Sequence, residues 1–161
     1  MINFKKILVY IDGTEQSITA AQYAICIASL LQAKLIALYV VNTRAIEDLL
    51  KARIFLKDEQ IEYEHDIETD AGRYLNHVEN LAIRKGITIT KRNVRGSVHN
   101  EIVNVVKEEE VDLLVIGELS RIRSRRDEFY DETERAMRTV PCSVIIVKDE
   151  DKVLEMYDSL V

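Results

Sequence analysis

Several residue types are scarce in this chain, and each scarcity excludes a class of protein. The 161 residues include only five glycines and one proline, whereas average usage is roughly 7% and 5%. Collagen-like and low-complexity chains are therefore excluded, and long regular elements with few special turns are expected. The two cysteines, Cys26 and Cys142, lie far apart inside apolar patterns, which predicts buried thiols and no disulfide or metal pair.

Long apolar runs and an excess of positive charge are also missing. No stretch approaches the ~20 apolar residues that span a bilayer, and the N-terminus lacks the pattern of a secretory signal. The formal net charge of -6 argues against tight nucleic-acid binding, because phosphate contacts supply most of such affinity. His65, His77 and His99 have no metal-ligand spacing. We therefore expect a cytoplasmic protein with no metal, nucleic-acid or membrane partner.

The residues that are abundant predict a folded α/β domain. A hydrophobic content of 47%, in a chain near the common domain length, predicts one globular domain with its own core. Five β-type apolar runs alternate with helical patterns, at residues 7–11, 35–41, 87–94, 113–116 and 144–147. Continuous apolar runs are typical of parallel strands covered on both faces. The alternation therefore predicts a three-layer α/β/α fold with right-handed crossovers.

The segments between the runs carry the helical patterns. Residues 15–32, which follow Thr14 as a possible cap, place on one helical face Ala21, Ala24, Ile25, Ala28 and Leu31. The long second connection is helical on both sides of an acidic stretch at 58–68, so a break or a solvated first turn is expected near Asp58. Gly86 then ends that helix. Two later helices are predicted from Ser97 and over 127–139, with Phe129, Ala136 and Met137 inward in the second.

The turns that follow the strands are the candidate functional positions. In an open parallel sheet, ligands bind beyond the carboxyl ends of the strands, where the strand order reverses. The turns at 12–14, 42–43, 95–97 and 117–120 meet that condition. Asp12 is the most informative residue among them. It either caps the following helix turn or contacts a ligand, and the residue pattern leaves both interpretations open.

Four separated segments of the chain resemble the universal stress protein family. They read KILVYIDGTE at 6–15, LYVV at 38–41, VDLLVIG at 111–117 and VPCSVIIV at 140–147. The resemblance implies an open five-stranded parallel sheet in the order 3-2-1-4-5, a Rossmann-like fold of the adenine nucleotide alpha hydrolase type. It also implies a family domain over 1–148, followed by a C-terminal tail at 149–161. Members are commonly homodimers.

The same resemblance implies a degenerate nucleotide site. Members that hold ATP use an aspartate after the first strand, a residue ending the second strand, and a pattern of three glycines after the fourth. The positions that match are Asp12, Val40 and Gly117. Ser120 replaces the second glycine, and Tyr130 and Asp131 replace the final glycine and its serine or threonine. A bulky ring and a carboxylate at a phosphate turn oppose a triphosphate by size and charge.

The fourth loop carries arginines in place of the missing glycines. These are Arg121, Arg123, Arg125 and Arg126. One interpretation is a guanidinium site that binds a phosphate or another anion through side chains. The other is a solvated loop whose arginines pair with the acidic residues that follow. The candidate crevice therefore comprises Asp12, Val40, Gly117, Ser120, Arg121 and Arg123.

The leading functional hypothesis is a non-enzymatic, dimeric module of the stress response. It has a regulatory or interaction role and binds no cofactor tightly. The alternative is a nucleotide-binding member that holds ATP or AMP through the crevice and its arginines, with weak ATP hydrolysis. A third hypothesis is a sensor of an anion or another small ligand in the same crevice. The last strand is expected at a sheet edge and would pair with its copy through Val144, Ile145, Ile146 and Val147.

Overall fold

A computed structural model describes residues 4–52, 57–119 and 128–161. Strands and helices alternate along these ranges, as the apolar pattern predicts. The elements are β1 (Lys6–Ile11), α1 (Glu15–Leu31), β2 (Lys34–Asn42), α2 (Thr43–Lys51), α3 (Lys57–Ile83), β3 (Ile89–Gly96), α4 (Val98–Glu108), β4 (Leu113–Gly117), α5 (Glu128–Thr139), β5 (Ser143–Val147) and α6 (Glu150–Ser159).

The five strands form one parallel sheet in the order β3-β2-β1-β4-β5. Ile7 in the central strand pairs with Leu35 on one side and Leu113 on the other. Helices α1, α3 and α6 cover one face of the sheet, and α4 and α5 cover the opposite face. Burial on both faces explains why β1 and β4 are continuous apolar runs. The predicted three-layer fold and strand order are confirmed.

The first helix begins and ends at identifiable caps. The hydroxyl of Thr14 accepts a hydrogen bond from the Ser17 amide at 3.1 Å, which confirms the predicted N-cap. The small inward residues of α1 are buried as predicted. Leu31 is an exception, because it is exposed where the chain leaves the helix through Gln32 in a left-handed conformation, at φ 55°.

The acidic stretch at 58–68 is helical throughout, because α3 begins at Lys57. Asp58 is exposed in the first turn of this helix, so the expected solvated first turn is confirmed. At the other end, the amides of Gly86 and Ile87 donate to the carbonyls of Ile83 and Ala82 at 2.9 and 3.0 Å, with Gly86 at φ 73°. Because the Ile87 amide bonds the end of α3, it is not available to the sheet. The strand β3 accordingly begins at Ile89, two residues later than predicted.

Helices α4 and α5 agree with prediction where they are described. Ser97 is the N-cap residue of α4, but its side chain makes no capping hydrogen bond. Ala136 of α5 is buried as predicted, whereas Asp127 and the side chain of Phe129 lie outside the described residues. Cys26 is a buried free thiol and Cys142 a half-buried one.

The C-terminal segment forms α6, which packs against the body of the domain. Val153 and Tyr157 are buried there. The Tyr157 hydroxyl donates to the Leu81 carbonyl at 2.6 Å, and the Lys85 ammonium donates to the Leu160 carbonyl at 2.9 Å. These contacts tie α6 to the end of α3. Along the described ranges, no helix combines the length and apolar content that a membrane crossing requires.

Candidate functional site

The turn after β1 is held by Asp12. Its Oδ1 atom accepts hydrogen bonds from the Thr14 amide at 3.0 Å and from the Thr14 hydroxyl at 2.6 Å. Gly13 adopts φ 83°, and a Cβ atom there would lie 2.7 Å from the ring of Tyr74. Asp12 therefore fixes the turn while Thr14 caps the helix. The hydrogen bonds described for Asp12 use only its Oδ1 atom, so Oδ2 can accept a hydrogen bond from a ligand. The contact between Asp12 and a ligand stays a prediction.

A cavity of about 240 Å³ opens beside this turn, at the carboxyl ends of β1 and β2. Asp12 and Val40 both line it, so two of the residues selected from sequence come together. Three phenol rings share the lining, from Tyr10, Tyr39 and Tyr63. The volume is below the roughly 300–1,000 Å³ of pockets for drug-sized ligands. It therefore suits a ligand about the size of a nucleobase or nucleoside.

Tyr10 is the most buried of the tyrosines that line the cavity and that sequence reasoning missed. Its side chain is only 6% exposed and has no hydrogen-bond partner among the described residues. Burial, reinforced by the charge of Asp12, raises the pKa of the Tyr10 phenol far above its ordinary value. Tyr10 thus remains a neutral hydrogen-bond donor at the cavity. The available signal was its position two residues before Asp12, which places both on one face of the strand.

The second strand contributes an aromatic pair to the same region. The ring of Tyr39 stacks on that of Tyr74, with centroids 6.3 Å apart and planes inclined by 7°. Burial is the main cause that raises the pKa of the Tyr39 phenol, followed by the charge of Asp12. The pair joins the wall of the cavity to the Gly13 turn, because Tyr74 also faces Gly13.

Gly117 ends β4 beside β1, as the strand order predicts, but it does not line this cavity. A Cβ atom at Gly117 would lie 2.4 Å from the carbonyl oxygen of Gln16 and 3.0 Å from the Ser17 amide nitrogen. Real Cβ atoms essentially never approach backbone that closely. The glycine therefore allows β4 to pack against the first turn of α1.

The rest of the candidate crevice lies outside the described residues. This applies to Ser120, Arg121 and Arg123, and to the side chains of Tyr130 and Asp131. In the described ranges, no cluster of three histidine, cysteine or acidic side chains is arranged to hold a metal ion. His99 has a structural contact instead, since its Nε2 lies 2.9 Å from the Thr139 hydroxyl and links α4 to the end of α5.

Comparison with known sequences identifies the family. The sequence model of the universal stress protein family matches residues 3–148. The chain belongs to the universal stress protein family. A universal stress protein of Methanocaldococcus jannaschii is 28% identical over 149 residues, which cover 92% of this chain and 85% of that protein. The resemblance inferred from the four sequence segments is thereby confirmed, and α6 lies beyond the matched residues.

Solved universal stress protein structures share the fold. One in complex with cAMP superimposes with a TM-score of 0.62 at 22% identity, covering 91% of this chain and 98% of that chain. Another, from Archaeoglobus fulgidus in complex with dAMP, gives a TM-score of 0.61 at 15% identity, covering 92% of this chain and 100% of that chain. Both are adenine nucleotide complexes of proteins with this architecture.

Proposed function

We propose that this universal stress protein is a non-enzymatic, dimeric module of the cytoplasm with a regulatory or interaction role and no tight hold on ATP. The observation that carries the proposal is the packing of Gly117 against the Gln16 carbonyl. Gly117 is the only glycine of the triphosphate motif that this sequence retains. Its close contact with Gln16 explains why a glycine is needed there, with no ligand involved. The other glycine positions hold Ser120 and Tyr130.

Charge at this end of the sheet supports the same proposal. Glu132 is buried on α5, and its carboxylate and that of Asp12 both raise the pKa of Tyr10. Asp131 adds a further carboxylate in the sequence. A triphosphate would bring several negative charges toward these groups, which disfavours its binding.

The two edges of the sheet differ in a way that supports dimerisation through β5. At the β3 edge, Lys91 and Arg92 form ion pairs with Glu79 and Glu109 at 3.1 and 2.7 Å. Charged side chains of this kind keep an edge from pairing. At the other edge, β5 reads SVIIV, and Ile146 is 44% exposed. Pairing β5 with its copy across a two-fold axis would cover that side chain.

The dimer has a direct test in solution. We expect a dimer at micromolar concentration by light scattering, and we expect Ile146→Lys to raise the dimer dissociation constant at least about tenfold, because it buries a charge at the strand pair. Ile61→Lys is the matched control, since Ile61 is an exposed isoleucine on α3. A monomeric parent chain, or equal effects of the two variants, would contradict pairing through β5.

A second candidate function is adenine nucleoside or mononucleotide binding in the cavity at Asp12. The Tyr10 hydroxyl and the Oδ2 atom of Asp12, which have no hydrogen-bond partner among the described residues, offer a donor and an acceptor to a base edge. Aromatic rings in the wall can stack on a base, which contributes roughly 1–3 kcal/mol. Solved relatives hold cAMP and dAMP. In this alternative Arg121 and Arg123 would hold the phosphate, with weak ATP hydrolysis.

Calorimetry with nucleotide-free protein separates the two candidates. We expect adenosine and AMP to bind at least as tightly as ATP. The sequence has no glycine-rich turn that could bind the second and third phosphates of ATP. Asp12→Asn keeps the Oδ1 acceptor for Thr14 and removes only the charge, while Tyr10→Phe removes only the donor. Each is expected to weaken AMP binding up to about tenfold.

Tyr23→Phe is the matched control, because Tyr23 does not line the cavity. Co-purified ATP, or an ATP affinity well above that of AMP, would refute the leading proposal. If adenosine, AMP and ATP all give no binding heat, the nucleoside candidate is excluded and the leading proposal stands.

A further inference from the structure

A second and larger cavity, of about 510 Å³, lies between α1, α3 and α6. It shares no lining residue with the cavity at Asp12 over the part of the chain that is described. Its volume falls within the roughly 300–1,000 Å³ range of small-molecule sites. Part of its lining, Glu150 and Leu154, comes from α6, beyond the segment that matches the family. The cavity therefore depends on the C-terminal helix of this chain.

The lining of this cavity includes a buried hydroxyl for which the described residues supply no hydrogen-bond partner. Thr19 of α1 is 8% exposed, and no hydrogen bond to its side chain is found within the described ranges. Helical threonines usually bond the carbonyl four residues back, as Thr69 does to His65 at 2.9 Å. No side-chain polar atom in the described residues is both fully enclosed and unsatisfied. The Thr19 hydroxyl is thus accessible from the cavity and available to a ligand.

The described lining of the cavity contains two acidic side chains and one histidine, His77. Glu15 and Glu150 both line it, and neither forms an ion pair with any described residue. Among the described residues, no lysine or arginine lines the cavity. Apolar surface between them comes from Ile18 and Leu154, the latter 44% exposed. Two unpaired carboxylates beside apolar surface complement a cation that carries an apolar body.

We propose that this cavity is a binding site for a small organic cation with an apolar or aromatic body. The ammonium group lies against the carboxylates of Glu15 and Glu150, and the apolar body packs on Ile18 and Leu154. The Thr19 hydroxyl provides a hydrogen bond inside the cavity. The two cavities have separate lining residues, although Thr14 of this site bonds Asp12 and Tyr74 stacks on Tyr39 of the other cavity.

The test uses a pair of probes that differ in charge and share a ring. NMR titration of the full chain with 2-phenylethylammonium is expected to give saturable shifts confined to amides around Thr19 and Leu154. The anion 3-phenylpropionate is expected to bind at least about tenfold more weakly. Equal binding of the two probes, or shifts that do not saturate or that scatter over the surface, would overturn the proposal.

Variants locate the site without relying on a buried residue. Leu154→Arg places a cation and a long side chain in the cavity and is expected to abolish saturable binding, whereas Leu30→Arg, at an exposed leucine elsewhere, leaves it unchanged. Glu15→Gln and Glu150→Gln should each weaken binding of the cation by roughly two- to fivefold. Thermal unfolding confirms that each variant is folded. Unchanged binding in Leu154→Arg would refute the site.

Discussion

Gly117→Ala is expected to destabilise the protein by about 3 kcal/mol or more. The added methyl group would lie 2.4 Å from the Gln16 carbonyl oxygen and 2.6 Å from its carbon. Both are backbone atoms of the first turn of α1, so no side chain can move aside. The strand and the helix must separate, at the centre of the sheet. Thermal unfolding followed by circular dichroism should show a midpoint lowered by about 6–12 °C.

The same substitution at Gly72 is the matched control. Gly72 lies within α3, and a Cβ atom there meets nothing within 4 Å. Gly72→Ala is therefore expected to stabilise the protein by about 0.5–1 kcal/mol, because alanine is the better helix former. If Gly117→Ala and Gly72→Ala unfold at the same midpoint, the close packing of β4 on α1 is contradicted.

Tyr157→Ala is the second substitution with a large expected effect. It removes a buried ring from α6 and leaves a cavity against the core, which is expected to cost about 3–5 kcal/mol. It also removes the donor to the Leu81 carbonyl. That carbonyl needs an external donor, because the Lys85 amide bonds Ala82 instead. Urea unfolding of the variant measures the loss.

Two further variants separate the contributions at Tyr157. Tyr157→Phe keeps the ring and loses only the hydrogen bond, for which about 1–2 kcal/mol is expected. Glu155→Ala, at an exposed position of the same helix, should change stability by no more than about 0.5 kcal/mol. A Tyr157→Ala protein as stable as Glu155→Ala would show that α6 does not contribute to the core.

The strands could be predicted because their signal is local. Runs such as residues 7–11 are apolar at every position, since both faces of the parallel sheet are covered. Thr14 and Gly86 could also be identified, because helix caps depend on the residue at one position. The start of β3 could not, since it depends on the hydrogen bond that Ile87 makes to the end of α3.

The acidic start of α3 has no clear helical spacing of apolar residues, because ion pairs with a distant strand contribute to its stability. Glu64 and Glu68 both pair with Arg95 of β3. The packing role of Gly117 could not be predicted either, since its neighbour Gln16 is distant in sequence. At the candidate site, Asp12 and Val40 could be assigned from the family motif. The cavity beside α6 could not, because it appears only when α6 is placed against α1.

The ion pairs along β3 limit how far the sheet can extend. Lys91 and Arg95 pair with acidic residues of α3, and Arg92 pairs with those of α4. A further strand added at β3 would have to displace these charges. Chains joined through β5, as we propose, would expose a charged edge at each end, so growth would stop at two copies. In that arrangement the charged β3 edge would keep a protein with an apolar strand at its other edge from forming fibres.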